Sequence, residues 1–148
     1  MISIKVEKGQ VFPLGLLERA ARVILDFCGV PDADLTLVLT DDSKLRRLNR
    51  DFLDHDYPTD VLAFPASEED PETGHPYLGD VVISLPRAMV QAAEHGHAVE
   101  SEVQLLAVHG ILHLMGHDHA EKDEKERMWK TQAKALKTLG LSSKIIHE

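Results

Sequence analysis

The sequence predicts an α+β (α/β-like) fold, one sheet with helices packed over it. Strand-type segments near 2–6, 34–40, 58–65 and 78–85 are interleaved with helix-type segments, and that interleaving places helices on a sheet. From Pro86 onward the chain reads as helical. The 148 residues suffice for one core and not for two, so a single domain over 1–148 is expected. Hydrophobic residues make up 43%, a globular share rather than a disordered one.

Ile2 to Val6 alternates apolar and polar residues, as a strand with one buried face does. Pro13 opens "LGLLERAARVILDFCG", in which Leu14, Leu17, Ala21, Ile24 and Leu25 recur at helical spacing before Gly29 ends the helix. "DLTLVLT" (34–40) is a second strand. Asp41 or Asp42 caps a short basic helix running to about Arg50. "PTDVLAFP" (58–65) is a short apolar strand between prolines, introduced by a turn capped by Thr59 and Asp60, and "LGDVVISL" (78–85) is a fourth strand with a tight turn at Gly79–Asp80. Between them "ASEEDPETGHPY" (66–77) has the composition of a surface loop. Pro86 starts the helix "RAMVQAAEHG", and "VESEVQLLAVHGILHLM" (99–115) is the most hydrophobic helix. "KDEKERMWKTQAKALKTLG" closes the chain with an expected buried stripe of Met128, Trp129, Ala133, Leu136 and Leu139.

Composition excludes several classes of function. Sixteen Lys and Arg against 25 Asp and Glu give a formal charge of −9, which argues against indiscriminate coating of nucleic acid, since that affinity comes from neutralising phosphates. Local basic density survives in "SKLRRLNR" (43–50). One cysteine, Cys28, cannot form an internal disulfide or a multi-cysteine metal site and fits a reducing compartment. No apolar run is long enough for a bilayer, and "MISIKVEKGQ" lacks the layout of a secretory signal, so a cytoplasmic protein without a membrane partner is expected.

The chemistry concentrates in "HGILHLMGHDH" (109–119), which holds four of the nine histidines. His109 and His113, four residues apart, return to one helix face with imidazoles about 6 Å apart along the axis. Gly116 can adopt the left-handed conformation that ends a helix, so that the chain folds back and His119 could supply a third nitrogen. Three histidines with an open fourth position mark a catalytic zinc site, whose water becomes hydroxide-like near neutral pH. Metzincin proteases space their ligands in the same way, but they carry a glutamate base after the first histidine, where this chain has Gly110. A glycine cannot take a proton, which points to a metal hydrolase other than a peptidase of that class. His117 is expected beside the site or in hydrogen-bonding support rather than as a ligand, and Asp118 as a group that orients an imidazole. His55, His75, His95, His97 and His147 stand in polar contexts and receive no role.

"HGILHLMGHDH", preceded in order by "LNRDFLDHDYPTDVLAFP" (48–65) and "LGDVVIS" (78–84), closely resembles the signature of the bacterial YbeY family of endoribonucleases and rRNA maturation factors. The resemblance covers essentially the whole chain. It implies a mixed four-stranded sheet surrounded by about five helices, with one zinc ion at the end of the long apolar helix held by His109, His113 and His119. It also implies a single-strand-specific metallo-endoribonuclease acting in 16S rRNA 3′-end maturation and ribosome quality control, with single-stranded rRNA, the small ribosomal subunit and assembly proteins as partners. The family's position matching His117 is usually aromatic. In the family's "LNxxYRxxDxPT" stretch an arginine linked to activity stands where this chain has Leu53, and Arg50, three positions earlier, is the candidate replacement, with Arg46 and Arg47 as further RNA-binding candidates. Two other readings remain open: a ribosome-assembly factor with a mainly structural metal, and a hydrolase of another substrate class with a base such as Asp60.

Overall fold

A computed structural model describes residues 1–57, 59–69, 71–116 and 122–141. The order of elements is β1 (Ile2–Val6), α1 (Leu14–Phe27), β2 (Asp34–Thr40), α2 (Asp42–Leu53), β3 (Val61–Glu69), β4 (Pro76–Ser84), α3 (Leu85–His95), α4 (Val99–Leu114) and α5 (Lys122–Thr138). Among the described residues there are thus four strands and five helices, in an α+β arrangement as expected. The strands form one mixed sheet in the order β1-β2-β4-β3. β1, β2 and β4 run parallel and β3 returns antiparallel beside β4.

The two-residue period of the strands sorts their side chains between two cores. Leu35, Leu37, Leu39, Val81 and Ile83 face the larger core, which α1, α4 and α5 cover. On the other face Leu62 and Val82, with Val38 and Phe64, pack against Leu45 and Leu48 of α2. α4 is buried on nearly all sides, touching α1, α3, α5, β3 and β4. That burial explains why the helix is apolar all round rather than striped.

Several elements depart from their sequence expectation. Leu14, the first residue of α1, is exposed, while Ala20 joins Leu17, Ala21, Ile24 and Leu25 inside. α2 continues three residues past Arg50, to Leu53, and closes on Asp54 in the left-handed conformation, φ 59°. Of the proposed loop 66–77, Ala66–Glu69 extends β3 and Pro76–Tyr77 begins β4, because the two strands continue as an antiparallel pair across a register shift between Pro65 and Glu68. Gly79–Asp80 is consequently strand and not turn. Gly79 has φ +132°, and a Cβ there would lie 2.1 Å from the backbone oxygen of Phe64, so glycine is required by the close approach of β3 at this irregularity. On α5 the buried set is Met128, Gln132, Ala135 and Leu136, continued by Leu139 just past its end, whereas Trp129 and Ala133 are only partly covered.

Candidate metal centre

α4 carries His109 and His113 on the side facing β3, at one end of a cleft of about 380 Å³. The cleft runs between that helix and the edge strand β3, lined by Asp60, Val61, Leu62, Ala63, Pro65, Leu105, Leu106 and Gly110 as well as the two histidines. The helical repeat brings the rings together as expected from the spacing, with centroids 4.5 Å apart and Nε2 atoms 3.0 Å apart. Gly110 sits where α4 lies against the sheet. A Cβ at that position would be 2.6 Å from Cγ1 of Val81 and 3.3 Å from Cγ2 of Val61. Packing against Val81 and Val61 therefore disfavours at this position the glutamate that metzincins carry.

Gln132 of α5 meets His109 from the side away from the cleft. Its Oε1 lies 2.9 Å from Nδ1 of His109, and the glutamine side chain is fully buried. An amide oxygen only accepts, so Nδ1 must carry the hydrogen, leaving the lone pair of Nε2 directed at Nε2 of His113. Two nitrogens of a tetrahedral zinc site stand about 3.3 Å apart, given Zn–N bonds of about 2.05 Å. The 3.0 Å separation fits two ligands of one such ion after a small spread, and the hydrogen bond behind His109 is of the kind that holds ligand histidines in register. No sequence motif marks Gln132 as a site residue, although its place among Met128, Ala135 and Leu139 puts a polar group on a buried face. α4 ends at Leu114 and Gly116 turns the chain with φ +81°, as its identity suggested. His117, Asp118 and His119 lie outside the described residues.

The basic helix α2 lies on the opposite face of the sheet from α4. Arg46 donates from Nε to Oδ1 of Asp56 at 2.8 Å, and Arg50 to Oδ1 of Asp51 at 3.0 Å. The hydrogen bond from Arg46, with its charge, holds the Asp56 carboxyl below the usual carboxylate range, and the same bond raises the Arg46 guanidinium. Buried Asn49 fixes the segment that presents Asp56, its Nδ2 donating to the backbone oxygen of Tyr57 at 3.0 Å. Arg47 is exposed and makes no ion pair among the described residues. Leu53 is half exposed and close in sequence to exposed Phe52, whose ring meets Phe64 edge-on at 5.7 Å. Arg50 is thus carried on the same helix as Leu53 but is already engaged with an acidic neighbour.

A second group of metal-binding chemistry, formed by residues that receive no role from sequence reasoning, joins α3 to α4. His95, His97 and Glu102 each bring one ligand atom within 4.8 Å of the others. No helix among the described residues is long and apolar enough to cross a membrane.

The profile of the family described as Endoribonuclease YbeY matches residues 7–140. An Endoribonuclease YbeY of Heliobacterium modesticaldum is 41% identical over 138 residues, covering 85% of this chain and 82% of its own. That of Carboxydothermus hydrogenoformans is 47% identical over 108 residues, covering 72% and 73%. Among solved structures, the solution structure of TM1509 from Thermotoga maritima superposes with a TM-score of 0.64 at 29% identity, covering 94% of this chain and 89% of that one.

Proposed function

Because this chain belongs to the YbeY family of endoribonucleases, we propose that it is a metal-dependent endoribonuclease of single-stranded RNA, acting on the 3′ end of 16S rRNA in the cytoplasm. The observation that carries the reading is the pair of Nε2 atoms, 3.0 Å apart, at the end of a cleft bounded by an open sheet edge. His109 and His113 would hold one zinc ion, with His119 as the third ligand. When bound, such an ion polarises a phosphate oxygen and lowers the pKa of water at its open position.

The protein's own groups do the rest. Gln132 keeps Nδ1 of His109 protonated, so that Nε2 is available as a donor to the metal. β3, hydrogen-bonded only on its β4 side within the sheet, presents backbone groups to the cleft that can pair with a sugar–phosphate chain. Val61, Leu62, Ala63, Leu105 and Leu106 supply the apolar part of the cleft lining, alongside the polar groups that Asp60, His109 and His113 contribute. Asp60 is the carboxylate on the same wall, and it is held in place by neighbours: Thr59 donates to its Oδ1 at 3.4 Å, and the Gln91 amide, turned with its nitrogen toward the carboxylate, donates to Oδ2 at 3.2 Å. Arg47, with Arg46 and Arg50 once their acidic partners are displaced, would hold the RNA backbone on the far side of the β3 edge.

A ribosome-binding factor with a structural metal is the second reading, favoured by the engagement of Arg46 with Asp56 and Arg50 with Asp51. Mapping product ends from a 16S 3′-terminal RNA tests the first reading. A 5′-phosphate and 3′-hydroxyl indicate attack by water, whereas a 2′,3′-cyclic phosphate indicates attack by the substrate's own 2′-hydroxyl. Uncut RNA bound tightly to the protein supports the second reading instead.

A further inference from the structure

The segment "HGH" (95–97) crosses from α3 to α4 by a tight reversal. Gly96 caps α3 in the left-handed conformation, φ 71°, and the backbone N–H of His97 bonds back to Ala92 at 3.1 Å. The histidines flanking the glycine therefore end up stacked, with centroids 5.8 Å apart and planes at 22°. Both lean over Glu102 in the first turn of α4, a carboxylate with no solvent exposure. Oε1 of Glu102 is 2.6 Å from Nε2 of His97 and 3.7 Å from Nδ1 of His95. The Gln91 amide that reaches Asp60 donates to Oε2 of Glu102 as well, at 3.2 Å.

Two imidazoles and one carboxylate are a zinc-type donor set. Here one ligand atom from each lies within 4.8 Å of the others, and both imidazoles converge on the same carboxylate oxygen, an arrangement that a single His–Glu hydrogen bond does not require.

We propose that His95, His97 and Glu102 form a second divalent transition-metal site, of the zinc class, separate from the one at His109 and His113. The ion replaces the proton between His97 and Glu102, which is released to solvent. Ligand atoms around tetrahedral zinc stand about 3.3 Å apart, so His95 is close to its place and His97 opens from its 2.6 Å hydrogen bond by movement of the connector that carries it. The fourth position faces outward beside His95, whose side chain is 41% exposed, and takes water. The ion pins the end of α3 to the start of α4. Through Glu102 and Gln91 it also fixes Asp60 on the wall of the cleft.

The test is the zinc stoichiometry of the untagged, chelator-stripped protein, titrated in competition with a chromophoric chelator. His95→Ala/His97→Ala is compared with wild type, with circular dichroism to verify that the double variant folds, because His97 is only 14% exposed and bonds buried Glu102; His95→Ala alone, at the more exposed position, is the second variant. Glu102→Gln follows, with circular dichroism to verify that it folds. The double variant is expected to bind one equivalent fewer than wild type, whatever number the wild type binds, and His113→Ala is expected to retain the equivalent that the double variant loses. Equal stoichiometry in wild type and the double variant overturns the proposal. Because only the difference between these two proteins is read, the result does not depend on whether RNA is cleaved.

Discussion

Replacing Gln132 by leucine separates metal binding from folding. The change removes the acceptor 2.9 Å from Nδ1 of His109 and fills the same buried space with an apolar side chain of similar size. Two effects on the metal-free fold oppose each other. The lost hydrogen bond costs about 0.5–1.5 kcal/mol, but Nε2 of Gln132 has no partner among the described residues, and removing that buried amine recovers a similar amount. Stability without metal should therefore stay within about 1 kcal/mol of wild type. The ligand does not escape so lightly. Without its acceptor, the imidazole can place its hydrogen on Nε2, the atom aimed at His113, and ring orientation is no longer fixed. Loss of such a supporting bond typically weakens metal affinity by about 10–100-fold, or about 1.4–2.8 kcal/mol. Competition titration with a chromophoric chelator gives the affinity, and urea unfolding in chelator gives the stability. Gln132→Glu, which keeps an acceptor at Nδ1, should retain affinity. Unchanged affinity in a folded Gln132→Leu protein would refute the assignment of His109 Nε2 as a metal donor held by this contact.

Other outcomes follow from single contacts. Asp56→Asn releases Arg46, and RNA binding should tighten while the slope of log affinity against log salt steepens by about 0.7, the value for one added phosphate contact on a single strand; an unchanged slope removes Arg46 from the RNA path. The pH dependence has a definite sign: the Asp56 carboxyl is depressed chiefly by the Arg46 hydrogen bond, so the pair is fully present above the ordinary carboxylate range and is lost only as pH falls through the lowered value. RNA affinity measured across neutral pH should thus show no step from this pair. Gly110→Glu, which restores the metzincin residue, should lower stability by about 1–3 kcal/mol through the clash with Val81 and yield no casein cleavage; a folded variant that digests casein would contradict the packing argument. Gly79→Ala meets the backbone of Phe64 with a positive φ and should cost about 3 kcal/mol in urea unfolding.

How much was legible in advance depended on whether burial left a pattern. β2, β4 and α4 were readable because the core dictates their apolar residues, and His109 and His113 because a helix repeats every turn. The far end of β3 was not, since Ser67–Glu69 lie on an edge strand beyond the apolar stretch and carry no apolar alternation. α2 outran its expected end because Asp54, not glycine, adopts the left-handed cap, which a short polar side chain permits. Gly79 was mistaken for a turn because glycine signals both reversal and close backbone approach, and only the register of β3 decides between them. His95 and His97 stand in polar contexts that suggest no role, and Gln132 carries no motif, although a polar residue at helical spacing with Met128 and Leu139 needs a buried partner.

Whether a metal held by the histidines of α4 cuts RNA is decided by incubating a single-stranded 16S 3′-terminal RNA with wild type and His113→Ala purified side by side. Cleavage is expected from wild type alone, abolished by chelator and restored by zinc. Equal cleavage by both proteins, or wild-type cleavage indifferent to chelator, would rule that metal out as the cutting agent.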